Sequence, residues 1–187
     1  MVTIIPYKLN WPNEFQKIGG KLRHSLGDTA LRIDHIGSTS IPGLAAKDRI
    51  DIQITVETLA PAIEKLLTGD GYQKLQISTD HIPKGIKSHP DNWVKWVFIN
   101  PPHQRPTNLH VRINGRTNQR YALLFRDYLR THQPVAQAYA ELKERLSENI
   151  ADPDLYPDVK DPAVDLIYFA AEDWSRFTGW QLGPSDA

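Results

Sequence analysis

Residues 32–56 read RIDHIGSTSIPGLAAKDRIDIQITV, and this stretch decides the fold. Leu31 to Ile36 is a short apolar strand that runs into Gly37-Ser38-Thr39-Ser40. Pro42-Gly43 marks a tight turn, and a small-residue segment, read as a short helix, ends at Lys47. A second strand, Arg49 to Val56, carries Asp51 inside the apolar run Ile50-Asp51-Ile52-Gln53-Ile54. Strand, hydroxyl-rich glycine loop, short helix and acid-bearing strand together are the layout of a phosphate site facing a metal-binding acid. Gly37 permits close backbone approach to an oxyanion. Consecutive N–H groups and the hydroxyls of Ser38, Thr39 and Ser40 can donate to phosphate oxygens, and a helix start adds a positive dipole end. The same residues suit a capped tight turn, since Ser and Thr cap helices. Asp51 tips the balance toward phosphate, because an acid on an apolar strand needs solvent, a partner or a metal.

Outward from this stretch, the 187 residues fit one domain, residues 1–187, large enough to bury a core. A formal net charge of +0 gives no global pull toward nucleic acid or anionic membrane. The absence of cysteine excludes disulfides, thiolate metal sites and a cysteine nucleophile. No apolar run approaches the ~20 residues of a membrane helix. Residues 1–6 are too short for a signal segment, so the expectation is a cytoplasmic protein without a membrane partner.

Asn10 is placed to cap a first helix with Trp11, Phe15, Ile18, Leu22 and Leu26 on one face. Gly19-Gly20 weakens that helix in its middle. A helix is expected over Leu59 to Leu67, and strands over Val94 to Ile99 and Asn108 to Ile113. Ser78 to Asn92 reads as a surface loop. From about residue 115 the chain reads as helical: Tyr121, Leu124, Phe125, Tyr128 and Leu129 form one stripe, and Val135, Tyr139, Leu142, Leu146 and Ile150 another. A polar break spans Ala151 to Asp161, and Asp161-Pro162 is expected to open a final helix reaching about Thr178. The fold class is therefore α+β, a small mixed sheet flanked by helices with a helical C-terminal part.

Gly-Ser at the end of one strand and an acid on the next, separated by residues 39–50, resembles the nucleotidyltransferase (polymerase-β-like) pattern. The fuller string His-Ile-Gly-Ser-Thr-Ser-x-Pro-Gly-Leu-Ala-Ala-Lys, residues 35–47, is similar to the GrpB (UPF0157) family, a branch of that superfamily. Phe125-Arg126-Asp127-Tyr128-Leu129-Arg130 and the later Ala-Tyr-x-x-Leu-Lys ending at Lys143 extend the likeness, which covers roughly Pro6 to Lys160. The resemblance implies an acid-bearing strand with two acids one residue apart, holding Mg²⁺ against a nucleoside triphosphate, and a third acid on a later strand. Here Gln53 stands at the second position and His110 at the third, so Asp51 alone of the three is an acid.

Three readings follow. In the first, the chain moves a nucleotidyl group from an NTP to a small acceptor. Gly37, Ser38, Thr39 and Ser40 hold phosphates, Asp51 holds Mg²⁺, and Lys47, Arg112 and His110 neutralise charge, with Arg126 reaching the site. In the second, a nucleotidyltransferase scaffold that has lost its metal acids binds a nucleotide or other phosphorylated small molecule. In the third, His35, Asp51 and His110 form a transition-metal site for hydrolysis. His35 and His110 can equally hydrogen-bond a backbone carbonyl or Asp34. Trp93 and Trp96 near Lys95 can stack a base, although packing in the core is the commoner fate.

Overall fold

The computed structural model describes residues 2–187. Five strands form one sheet: β1 (Arg32–Ile36), β2 (Ile50–Val56), β3 (Gln73–Lys74), β4 (Lys95–Ile99) and β5 (Thr107–Ile113). Their order is β1-β2-β5-β4-β3, antiparallel except for the central β2–β5 pair, which is parallel. Five helices complete the fold: α1 (Trp11–Leu26), α2 (Pro61–Gly69), α3 (Thr117–Thr131), α4 (Gln133–Asn149) and α5 (Tyr156–Thr178). The expected α+β class, with a small mixed sheet and a helical end, is the one observed. None of the described helices is long and apolar enough to cross a membrane.

Strand alternation divides the sheet into two chemically different faces. One face presents Ile33, Ile50, Ile52, Ile54, Val56, Leu109, Val111 and Phe98 to Trp11, Phe15, Leu22, Ile63 and Leu67 of α1 and α2, a core of nearly fully buried side chains. The other face carries a polar grid fixed by register: Asp34 opposite Gln53, Gln53 opposite His110, Thr55 opposite Arg112, and Lys95 opposite Arg112. Helix α3 lies over this face, and Gln53 Nε2 donates to the Gln119 carbonyl across the gap (3.0 Å). A second core, with Ile41, Leu44, Leu124, Tyr128, Leu129, Tyr139 and Tyr168, joins the loop after β1 to α3, α4 and α5.

Several expectations are corrected. Residues 41–49 form no helix: a 3-10 turn, Ser38–Ser40, is followed by irregular chain. Helix α5 begins at Tyr156, with Pro157 in its first turn and Pro162 inside it, so the polar break is shorter than expected. Of two prolines able to open a helix, the earlier does so, and Pro162 removes one internal hydrogen bond. Asn10 does not cap α1 with its side chain; Nδ2 donates instead to Glu14 Oε1 (3.1 Å). The two-residue strand β3 was too short to leave a periodic signal. Trp93 is fully buried, and Trp96 packs under Lys74, whose Nζ lies 3.8 Å from its ring centre.

Candidate phosphate site

The turn between β1 and β2 sets the site. Gly37 has φ 68° and ψ −175°, a conformation that side chains essentially forbid. A Cβ built there would lie 2.5 Å from Asp51 Oδ2, so the glycine serves both the backbone turn and the close seat of the acid. The three hydroxyls do not act alike. Ser40 Oγ donates back to the Gly37 carbonyl (2.6 Å), and Thr39 Oγ1 pairs with His35 Nε2 (3.0 Å). Both residues are buried, because a 3-10 turn spreads successive side chains about a third of a circle apart. Ser38 is only half-buried, and its Oγ accepts from Lys143 Nζ (2.9 Å).

Lys143 comes from α4. It is buried, gives a second hydrogen bond to the Ala45 carbonyl, and lies over the Tyr139 ring at 4.8 Å. No carboxylate stands within ion-pair distance among the described residues. Burial, with the nearby Lys160 cation next, pushes its pKa down to about 7. Lys160 on α5 is likewise lowered by burial, with Asp161 (3.9 Å) and Asp51 opposing. Lys47 rests on the Tyr156 ring at 4.3 Å, and burial and the Lys160 and Arg49 cations lower it. Arg49 Nη1 donates to Asn108 Oδ1 (3.0 Å), and Asn108 Nδ2 donates to Asp51 Oδ1 (2.8 Å).

Asp51 and His110 are brought together on the polar face, Nε2 to Oδ1 at 3.9 Å. Burial, foremost, holds the His110 imidazole below its ordinary range, so it is neutral near pH 7. Its Nδ1 is buried without a hydrogen-bond partner in the protein, as is the Tyr156 hydroxyl.

Three predicted site residues are placed elsewhere. His35 pairs with Ile52, an inward position of β2, so it points to the opposite face from Asp51 and stacks on Phe15 (centroids 4.8 Å, 5° between planes). The odd separation from Asp34 and Ile36 decides this, and the His35–Asp51–His110 metal trio is not assembled. Among the described residues no three His, Cys, Asp or Glu side chains gather to hold a metal. Arg112 is committed: Nε and Nη2 donate to Asp80 (2.9 and 2.8 Å) and Nη1 to Gln53 Oε1 (2.6 Å). Arg126 donates to the His35 carbonyl (3.1 Å), Asp127 (2.7 Å) and Asp186 (2.7 Å), so the anion it meets is the chain's own.

Sequence reasoning missed Lys143 and Lys160 as site residues. The signal was present for Lys143, which follows Tyr139 by four on the apolar side of α4 and so had to be buried. It also missed Asp80, in the segment taken as surface loop, where Lys95 Nζ (2.6 Å), Arg112 and Asn118 Nδ2 (2.9 Å) converge on one carboxylate. Two surface hollows, of about 580 Å³ each, lie beside α1 and between α3 and α5, and neither borders Asp51.

The turn, the acid and the helical end place the chain in a class: an α+β protein with a glycine–serine turn facing one carboxylate. More particularly, the chain belongs to the GrpB family, whose model, described as GrpB protein, matches residues 1–169. It is 34% identical over 154 residues to the UPF0157 protein BH1888 of Halalkalibacterium halodurans, spanning 79% of this chain and 70% of that one. It is 39% identical over 198 residues to a dephospho-CoA kinase of Mycolicibacterium paratuberculosis, covering 96% of this chain and 48% of the relative. The chain thus spans about half the length of that protein. The Gly-Lys-Ser/Thr ending of a P-loop has no counterpart here, for Gly20-Lys21 precedes Leu22 inside α1. The crystal structure of the conserved protein GrpB from Enterococcus faecalis superposes with a TM-score of 0.72 at 26% identity, covering 92% of this chain and 99% of that one.

Proposed function

We propose that the site formed by Ser38, Asp51, Lys143 and Lys160, where the β1–β2 turn meets helices α4 and α5, binds a nucleotide or another phosphorylated small molecule. The observation that carries this is Lys143: a buried ammonium, held by a serine hydroxyl and a carbonyl, with no carboxylate to balance it. A buried cation is costly unless paired, and an incoming phosphate oxygen supplies the missing partner. The Ser38 hydroxyl and backbone turn offer donors beside it, and Lys47, Lys160 and Arg49 add positive charge around Asp51. The unpartnered Tyr156 hydroxyl and His110 Nδ1 are polar groups left for a ligand.

Nucleotidyl transfer is the second reading, favoured by Asp51 facing the turn next to neutral His110, where an acceptor hydroxyl would need a base. The Mg²⁺ that the resemblance implies is poorly matched by the residues present. That ion takes oxygen ligands in near-octahedral order, and a two-metal site takes several carboxylates. Here Asp51 Oδ1 accepts from Asn108, Oδ2 abuts Gly37, and Gln53 turns its oxygen to Arg112.

The test is thermal unfolding of the full chain against ATP, the other nucleoside triphosphates and inorganic triphosphate. A ligand at 100 times its Kd stabilises by about 2.7 kcal/mol, a readily measured rise in Tm. The expected result is a shift in the wild type that is lost in Lys143→Met, while the ligand-free variant melts no lower than the wild type. No shift with any phosphate ligand contradicts the reading.

A further inference from the structure

The charges at this site are arranged the opposite way from a metal site. A divalent ion is held by surplus negative charge on the protein and in turn neutralises the phosphates. Around Asp51 the surplus is positive. Lys47, Arg49 and Lys143 have no carboxylate at ion-pair distance among the described residues, and Lys160 has Asp161 at 3.9 Å. One step along the same face, where the second acid of a metal pair would stand, Gln53 accepts from the Arg112 guanidinium at 2.6 Å. Arg112 is in turn held by the Asp80 carboxylate, which Lys95 and Asn118 also engage. A permanent protein cation thus occupies the neighbourhood that a second metal ion needs, and it cannot be displaced without stranding buried Asp80.

We propose that this site neutralises its ligand's phosphates with lysine and arginine in place of a divalent cation, and so takes up a polyphosphate in its metal-free form. This rests on the phosphate-binding reading above and narrows it. Complexed Mg²⁺ cancels part of the charge that the lysines are set to meet, and it would bring a dication against Lys143 and Lys160. Asp51, already a hydrogen-bond acceptor from Asn108, then acts within the protein by balancing part of the lysine charge when no ligand is bound.

The experiment is a calorimetric titration of the full chain with ATP and, separately, with inorganic triphosphate, each in excess EDTA and in millimolar MgCl₂. The expected result is binding in EDTA that is equal or weaker with Mg²⁺, and loses about tenfold or more in Lys143→Met and in Lys160→Met. Binding that appears only with Mg²⁺, or tightens by about tenfold with it, overturns this inference and leaves the phosphate-binding reading standing. Absence of binding under both conditions overturns both. Each variant is first checked for a cooperative unfolding transition, and Lys143→Arg is included. It keeps the charge, and is expected to retain binding that Met removes.

Discussion

Lys143 is where side-chain chemistry and ligand chemistry meet. Its ammonium is buried beside Lys160, and its pKa falls to about 7 from an ordinary value near 10.5. The folded chain therefore holds fewer protons than the unfolded chain between pH 7 and 10.5, and stability contributed by this residue rises with pH through that window. Denaturant midpoints of wild type and Lys143→Met measured from pH 6 to 9 are expected to converge as pH rises, the wild type gaining. Parallel curves would show that Lys143 is charged throughout. Gly37 is a second residue with a sharp expectation. Its φ of 68° and ψ of −175°, with Asp51 Oδ2 at 2.5 Å from a built Cβ, leave no room for alanine. Gly37→Ala is expected to cost about 1–3 kcal/mol from backbone strain, read as a lower urea midpoint at unchanged slope. A variant of wild-type stability would mean that the turn relaxes freely. Gly37 could be read from the sequence as a phosphate-side glycine; its packing against Asp51 could not, because that contact joins two strands.

At the scale of elements, the polar face of the sheet is organised by Asp80, which enters from the segment between β3 and β4. Its carboxyl is held well below the ordinary carboxylate range, with burial opposing and Arg112 and Lys95 prevailing. Removing its charge strands two buried cations, so Asp80→Asn is expected to destabilise by about 3–5 kcal/mol. The same linkage gives a pH sense: a depressed carboxyl contributes stability that is present above its unfolded pKa and lost on acidification below it. A urea titration near pH 7 reads the loss; a change within experimental error would mean the loop is not anchored there. Four of the five strands were legible to within a residue, as β-branched and apolar residues mark each run and Gly or Pro follows β1, β4 and β5 within two residues. Helices α3 and α4 were legible from their apolar stripes. Asp80 was not, since nothing local in a Pro-, Gly- and His-rich loop distinguishes the one acid that folds inward.

For the whole molecule, the exposed edge of β1 is closed by residues 180–187, beyond the stretch matched by the family model. Ala187 N donates to the Ile33 carbonyl (3.0 Å), Ile33 N to Ser185 Oγ (2.9 Å) and His35 N to Asp186 Oδ2 (2.9 Å). Gly19 of α1 makes room for this segment; a Cβ there would lie 2.9 Å from Ala187 Cβ. This explains a glycine inside a helix that the sequence showed only as a weakness. An open strand edge invites pairing with another chain. A chain shortened after Gly179 is expected to melt lower and self-associate in size-exclusion chromatography with light scattering. A monomer of unchanged Tm would show that the segment is not needed to guard the edge. No periodicity marks residues 180–187, so this role depends wholly on tertiary placement.

If a phosphate is the missing partner of Lys143, its binding draws a proton onto that amine, and proton linkage reads this step. Near pH 8 most Lys143 side chains are neutral, given a pKa of about 7, and a bound phosphate requires the ammonium. Calorimetric titration with inorganic triphosphate at pH 8, repeated in buffers of different ionisation enthalpy, counts the protons taken up on binding. Net proton uptake approaching one per site is expected in the wild type and none in Lys143→Arg, which retains binding and is charged throughout. Binding with no proton uptake, or uptake unchanged in that variant, would contradict the pairing of phosphate with Lys143.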